Sequence, residues 1–182
     1  MISLEKYNKI KKAVIDILDK NKIALTDTEK ENIEAADFGL DDIDNTGLQI
    51  VTYINTERVC AKELILFPHQ TCPEHRHPTI NGVPGKEETF RCRAGIVYIY
   101  VPGEPTQKPN CKPPAGSEDY YTVWHEIILK PGEQYTLMPD TLHWFQAGKD
   151  GAIVSEFSTK STDDADIFTD PNIVREPVVG SI

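Results

Sequence analysis

The feature that most constrains the fold is a series of short apolar segments that begins after residue 44. They are rich in Val, Ile, Tyr, Phe and Thr, which favour strands, and Pro or Gly turns separate them. The predicted strands are residues 48–55, 59–67, 88–93, 95–101, 122–129, 134–138, 143–147 and 152–158. No helical pattern separates these segments, so they predict an all-β closed barrel or sandwich. Residues 102–120 are rich in proline and predict an irregular excursion.

The first 40 residues show helical periodicity instead. Apolar side chains recur there at steps of three and four residues, which places them on one face of a helix: Leu4, Tyr7, Ile10, Val14, Ile17 and Leu18. Ser3 precedes the run and can cap the helix. Thr26 or Thr28 can cap a second, shorter helix, which we expect to run through Ala36 and to end near Gly39.

The length of 182 residues suits one domain with a modest appendage. We expect residues 1–44 to form a helical extension, packed outside the main fold or against a second subunit. We expect residues 45–182 to form the barrel and a C-terminal tail. The tail is rich in aspartate from residue 161 onward, and we expect it to wrap back over the barrel.

The acidic composition narrows the choice of partners. The formal net charge is -10 at pH 7 and the pI is about 4.9, so phosphate backbones and anionic lipid headgroups are repelled. A neutral sugar suits such a surface better than nucleic acid or a membrane. Residues 1–20 carry charges throughout, and no apolar stretch approaches the ~18 residues that cross a membrane, so we expect a cytoplasmic protein. The four cysteines form no C-x-x-C pair and are expected to be reduced thiols.

Two histidines two residues apart carry the clearest chemical signal. On a strand, alternate side chains share a face, so His75 and His77 can point into the same interior. Glu88 follows them, and His143 supplies a third imidazole at the start of a later strand. An isolated H-x-H pair is common on protein surfaces, so the signal depends on all four residues together. Three imidazoles and one carboxylate suit Mn, Fe, Co, Ni or Zn better than Ca or Mg.

These residues resemble the two sequence motifs of the cupin family. The first motif is matched by His75, His77, Glu88 and Gly95, and the second by Gly132, Pro139, Thr141 and His143. The chain departs from the family pattern in two places, because the gap from His77 to Glu88 is longer than usual and Thr141 stands where a glycine is usual. The resemblance implies an all-β cupin fold, a double-stranded β-helix or jelly-roll barrel, with the N-terminal helices packed outside.

A long insert before the sequence KEETF is similar to the D-lyxose ketol-isomerase family of cupin sugar isomerases. So are the run SEFST, the Asp163-Asp164 pair and the run DIF that leads to Arg175. This resemblance covers roughly residues 48–175. It implies aldose–ketose isomerisation through a cis-enediol, with D-lyxose and D-xylulose as the first substrate pair and D-mannose and D-fructose as the second. The reaction needs a redox-quiet divalent ion, for which Mn is the first choice and Fe, Co, Ni or Zn are alternatives.

Two residues are candidates for moving the proton. Lys86 lies two residues before Glu88, so on an extended segment it faces the same side, and a nearby cation would depress the pKa of its amine. It would then act as an acid or a base, or donate to a sugar oxygen; the alternative is a solvated loop lysine. Glu156 is a general base if it points into the barrel and an exterior strand residue if it points outward.

Sugar hydroxyls also need hydrogen-bond partners and stacking faces, and we expect the substrate to contact Phe90, Trp124, Trp144, Asp166 and Arg175. Two other functions fit the same metal ligands. One is a cupin dioxygenase that uses Fe to bind O2, and the other is a non-catalytic cupin that binds a sugar. The polar insert and the acidic tail favour a sugar. Exposed strand edges invite pairing, so we also expect a homodimer.

Overall fold

The computed structural model describes residues 2–175 and the backbone of residues 179 and 180. Most of its regular secondary structure consists of antiparallel strands. In chain order the elements are β1 (Ile2–Ser3), α1 (Leu4–Lys20), α2 (Asp27–Glu31), β2 (Glu34–Ala36), β3 (Leu48–Asn55), β4 (Cys60–Leu66), β5 (Thr71–Arg76), β6 (Glu88–Val101), a 3-10 helix (Glu118–Tyr120), β7 (His125–Leu129), β8 (Gln134–Leu137), β9 (His143–Ser158), a second 3-10 helix (Asp163–Ala165), β10 (Ile167–Phe168) and β11 (Val179–Gly180).

The strands form a curled antiparallel sheet in the order β10-β5-β9-β4-β3-β2, and β6 pairs with β7, β8 and β9. A separate parallel pair joins β1 to β11. The inner face of the sheet encloses an apolar core that contains Leu48, Ile50, Leu64, Phe90 and Phe145. Alternate residues point to the outer face, where α1 packs. The mostly β architecture with an N-terminal helix confirms the predicted fold class.

Helix α1 begins where its sequence predicts. The Ser3 side chain accepts a hydrogen bond from a first-turn amide, which satisfies one of the free N–H groups at the helix start. Ile10, Val14 and Leu18 are buried in an apolar cluster shared with the outer face of the sheet. Leu4, which the periodicity placed on the same helix face, is 51% exposed.

The second predicted helix is shorter than expected. Thr26 caps it with a reciprocal capping box, but the helix ends at Glu31. The prediction that it runs through Ala36 is wrong, because Glu34–Ala36 forms β2 and pairs with β3. Ala35 packs in the outer cluster and Ala36 in the inner core, and burial on both faces favours an extended strand. Among the described residues, no helix combines the length and the hydrophobicity that a membrane crossing requires.

Two pairs of predicted strands are each one long strand. Residues 88–93 and 95–101 are joined in β6, and residues 143–147 and 152–158 are joined in β9. Gly95, with a φ of 71°, lies at an irregularity in the register between β6 and β9 and does not end the strand. A bulge of this kind bends a strand while the pairing continues on both sides.

The C-terminal tail wraps back over the sheet, as predicted. Strand β10 pairs antiparallel with β5, so Phe168 lies opposite His75. The sequence patterns predicted no strand at β10, because two residues are too few to show a period. This pairing brings residues 161–175 to the opening of the sheet that holds the histidines.

A methyl group at Gly95 tests how closely β6 and β9 approach each other. The Cβ of an alanine there would lie 2.0 Å from the carbonyl oxygen of Gly151, at a φ of 71°. We expect Gly95→Ala to lower the free energy of unfolding by about 3–5 kcal/mol in a urea titration. Gly132→Ala is the matched control, since its φ is 95° but no described atom lies within 4 Å of the new Cβ. The control should lose about 1–2 kcal/mol, and equal losses for the two variants would contradict the close approach.

Candidate metal centre

Three buried histidines converge at the junction of β5 and β9. His75 on β5 is the register partner of His143 on β9, and His77 follows directly after β5. The ring centroids of His75 and His143 are 4.3 Å apart, and His77 lies 5.0 Å from the first and 5.4 Å from the second. One ring nitrogen of each histidine lies within 4.8 Å of the other two. This buried triad can hold a metal ion.

Backbone carbonyls fix the orientation of two of these rings. The Nδ1 of His75 donates to the carbonyl of Pro73 at 2.8 Å, and the Nδ1 of His143 donates to the carbonyl of Thr141 at 2.9 Å. Because a carbonyl only accepts, each Nδ1 carries the proton and each Nε2 keeps its lone pair. The Nε2 of His143 is buried and has no hydrogen-bond partner among the described residues. A buried Nε2 that makes no hydrogen bond and lies near two other imidazoles and a carboxylate oxygen is what a metal ligand presents, so the donor set fits a transition-metal ion.

Glu88 adds a carboxylate to the same point. Its Oε1 lies 3.0 Å from the Nε2 of His77 and 3.2 Å from the Nε2 of His143. Its Oε2 lies 2.9 Å from the Nζ of Lys86. Glu88 is buried, whereas the neighbouring Glu87 is exposed, as alternation along an extended segment requires. The carboxylate therefore contacts two of the three rings.

Asp166 supports the third ring. Its Oδ1 accepts from the Nδ1 of His77 at 2.5 Å. Burial lowers the pKa of His77, but Glu88 and Asp166 raise it to a net value of about 9. The sequence predicts that Asp166 contacts the substrate, whereas the structure places its carboxylate against a histidine of the triad. A carboxylate in this position orients a ligand ring and increases its basicity.

Lys86 is buried among carboxylates. Its Nζ lies 2.9 Å from Glu88, 3.1 Å from Glu156 and 3.3 Å from Asp163. Burial lowers the pKa of Lys86, but Glu156 and Glu88 outweigh it and hold the pKa well above its usual value. The predicted depression of this pKa depends on a neighbouring cation, whereas these carboxylates act in the opposite direction. Their contacts favour an ammonium that donates hydrogen bonds to the three carboxylates.

The insert between His77 and Lys86 ends at a close backbone contact, which brings the chain back to the site. A Cβ at Gly85 would lie 2.0 Å from the carbonyl oxygen of His77, so only glycine allows the two backbones to approach this closely. The longer gap of the first cupin motif thus loops away and comes back beside His77. This return places Lys86 and then Glu88 inside the cavity.

Glu156 points inward from β9 and is buried. Its Oε1 accepts from the Nζ of Lys86 at 3.1 Å and from the Oγ of Ser158 at 3.0 Å. The described residues that line the cavity include four carboxylates and three cationic side chains: Glu88, Glu156, Asp163 and Asp166, with Lys62, Lys86 and Arg175. Once His77 gives up its proton, as a metal ligand must, these side chains leave one excess negative charge for a bound cation.

Lys62 and Asp163 belong to this cluster but were not predicted as site residues. The Nζ of Lys62 lies 2.5 Å from Asp163. Although burial raises the pKa of Asp163, Lys86, Lys62 and Arg175 hold it well below its usual value. The sequence does indicate that Lys62 points inward, because period-two alternation in β4 puts it on the same face as Leu64. An inward charge beside an apolar residue indicates a buried partner.

Phe90 and Arg175 line the cavity, but the two tryptophans do not. Trp144 is the neighbour of His143 on β9 and so points to the opposite face, where it stacks on Tyr100 with centroids 3.9 Å apart. Trp124 packs edge-on against Trp144 in the same cluster. The prediction that Trp124 and Trp144 face the substrate in this cavity is contradicted by their position on the outer face.

Solved structures with a similar fold are L-ribose isomerases. The enzyme from Cellulomonas parahominis with no ligand has a TM-score of 0.78, 17% identity and 94% coverage of both chains. The enzyme from Acinetobacter sp. DL28 in complex with L-ribose has a TM-score of 0.79, 15% identity and the same coverage. At these identities the likeness shows the fold alone. The fold and the histidine triad together define a cupin-type protein with a candidate metal centre.

Sequence relatives define the family more closely. The model of the D-lyxose isomerase family matches residues 18–180. A D-lyxose/D-mannose isomerase from Thermosediminibacter oceani is 65% identical over 179 residues, which cover 98% of this chain and 99% of the relative. A D-lyxose ketol-isomerase from a Thermofilum species is 57% identical with the same coverage, and one from Cohnella laeviribosi is 61% identical over 91% of each chain. The chain belongs to the D-lyxose isomerase family.

Removing the carboxylate that contacts His77 should lower the affinity for metal without unfolding the protein. We expect Asp166→Asn to weaken binding of Mn²⁺ by about 10–100-fold, because the His77 ring loses its anionic acceptor. Competition with a chelator measures the dissociation constant. Asp164→Asn, an exposed position in the adjacent 3-10 helix, is the control and should bind as the unmodified protein does. Unchanged affinity in Asp166→Asn would show that the contact does not position a ligand.

Proposed function

We propose that this protein interconverts D-lyxose and D-xylulose, and that D-mannose and D-fructose form a second substrate pair. The observation that carries the proposal is the buried Lys86–Glu156 pair beside the histidine triad, 3.1 Å between Nζ and Oε1. A proton-transfer group next to a site for a Lewis acid is what aldose–ketose isomerisation requires. The names of relatives that are 57–65% identical over most of the chain support the choice of sugar.

We assign the metal ligands to His75, His77, Glu88 and His143. A divalent ion held by these four groups would act as a Lewis acid that polarises the sugar carbonyl and stabilises negative charge on its oxygen. Mn²⁺ is our first choice because the reaction needs no change of oxidation state. Fe, Co, Ni and Zn share the same preference for imidazole and carboxylate donors.

Glu156 is the general base of this proposal. Its carboxylate takes the proton from C2 of the aldose and returns it to C1, while the hydroxyl proton of O2 passes to the adjacent O1, so the sugar goes through a cis-enediol and the carbonyl moves from C1 to C2. Lys86 stays an ammonium throughout, donates to a sugar oxygen and orients Glu156 through their hydrogen bond. Phe90 shields one side of the cavity from water, and Arg175 donates to sugar hydroxyls from the tail.

Three further assignments complete the proposal. We infer that the protein is a homodimer, because exposed strand edges invite pairing, and that it works in the cytoplasm, in keeping with its free cysteines. An Fe-dependent dioxygenase is the rival enzyme for the same ligands. A cavity wall of lysine, arginine and carboxylates suits a polyhydroxylated substrate better than O2.

Removing charge from Glu156 should abolish turnover but leave the metal site intact. We expect Glu156→Gln to reduce kcat for D-lyxose by about 10²–10⁴-fold, the usual contribution of a general base. Mn²⁺ affinity, measured on the same preparation, should change little. Glu87→Gln removes an exposed carboxylate one residue from Glu88 and serves as the control. A variant of Glu156 that keeps full activity would discard its role as the base.

Stripping the metal should abolish isomerisation, and adding Mn²⁺ should restore it without oxygen. We expect His77→Ala and His143→Ala to lose both bound metal and activity, because each removes a nitrogen of the triad. Metal content is measured by elemental analysis and ketose formation is followed under argon. Oxygen consumption or peroxide release with the same sugars would favour the dioxygenase instead.

A further inference from the structure

A row of side chains on one face of the sheet leads from the proposed base to β3, and it is buried at Glu156 and Lys62 and exposed at Thr52. Glu156 on β9 pairs with Lys62 on β4, and Lys62 pairs with Thr52 on β3. Neighbouring strands lie about 4.8 Å apart, so the row spans about 10 Å from Glu156 to Thr52. The reactive end of the sugar must lie at Glu156. The distance along the row from Glu156 therefore shows which residues the remaining carbons can reach.

The polarity of the cavity walls determines the direction in which the remaining sugar carbons extend. One wall is apolar, with Ile50 and Leu64 paired one step inward along the same strands. The other part of the lining is charged and carries Lys62, which follows Leu64 on the same face of β4, with Asp163 and Arg175. Hydroxyl groups that are buried without a partner cost free energy, so the hydroxyl-bearing carbons lie along the charged wall.

The charged wall separates the cavity from a second space. Lys62, Asp163 and Arg175 also line an outer cleft of about 410 Å³, together with Glu34, Thr52 and Asn55. The cavity itself holds about 30 Å³, which suits a water molecule and not a sugar. A bound sugar therefore needs space beyond the cavity, and the outer cleft shares Lys62, Asp163 and Arg175 with it.

We propose that the outer cleft at Thr52 accommodates the far end of the substrate and sets the preference between pentose and hexose. Each added carbon lengthens an open-chain sugar by about 1.3 Å, given a C–C bond of about 1.5 Å. A pentose ends near Lys62, and the sixth carbon of a hexose passes the Lys62–Asp163 pair and enters the cleft. The inference rests on the proposed isomerase function and adds to it the residue that discriminates by chain length.

Filling the cleft tests this assignment. Thr52 is exposed on a strand, where Trp is well tolerated, so Thr52→Trp narrows the cleft without burying new surface in the core. We expect the ratio of kcat/KM for D-mannose to that for D-lyxose to fall at least tenfold, mainly through KM. Thr52→Leu is a smaller change that should move the ratio in the same direction, and it replaces the first variant if that one does not fold.

Thr136→Trp is the matched control, because Thr136 is an exposed strand threonine that lines neither space. Its ratio should equal that of the unmodified protein. An unchanged ratio in both Thr52 variants, or equal losses on the two sugars, would overturn the inference and leave the isomerase function standing. Activity on D-lyxose with none on D-mannose in the unmodified protein would also overturn it. Turnover of neither sugar would instead reject the proposed function.

Discussion

Glu88 lies against His77, His143 and Lys86 in a cavity from which most water is excluded. A carboxylate in such surroundings stays ionised only if its neighbours compensate the charge, and these neighbours do so in part. The same condition applies to every ionic group in the cavity. Each lysine or arginine there touches at least one carboxylate, so the cluster is stable as a set and not as separate pairs.

This shared compensation explains why the irregular parts of the chain are as important as the strands. The sheet supplies His75, His143, Glu88 and Glu156, His77 follows directly after β5, and Asp166 and Arg175 come from the tail. The insert delivers Lys86 through the backbone contact at Gly85. The tail and the insert therefore complete the site chemically, and an error in the path of either one leaves a buried charge without its partner.

Strand periodicity predicted much of this site because alternation decides which side chains share a face. It placed the histidines and Glu88 together correctly, and the same alternation turns Trp144 away from His143. Lys62 was missed because its partner, Asp163, lies about a hundred residues away and only the tertiary fold brings them together. Ala36 was assigned to a helix because local sequence does not reveal burial on two faces. The pKa of Lys86 depends on carboxylates from three segments, which no local pattern contains.

The central claim is that three imidazoles and one carboxylate bind one ion inside the sheet. Diffraction from Mn²⁺-loaded crystals at the manganese absorption edge tests it most directly, because anomalous scattering locates the ion itself. The account predicts one strong peak within bonding distance of the Nε2 atoms of His75, His77 and His143 and of a Glu88 oxygen. A peak at another site, or one that lacks contact with any of the three rings, would contradict it.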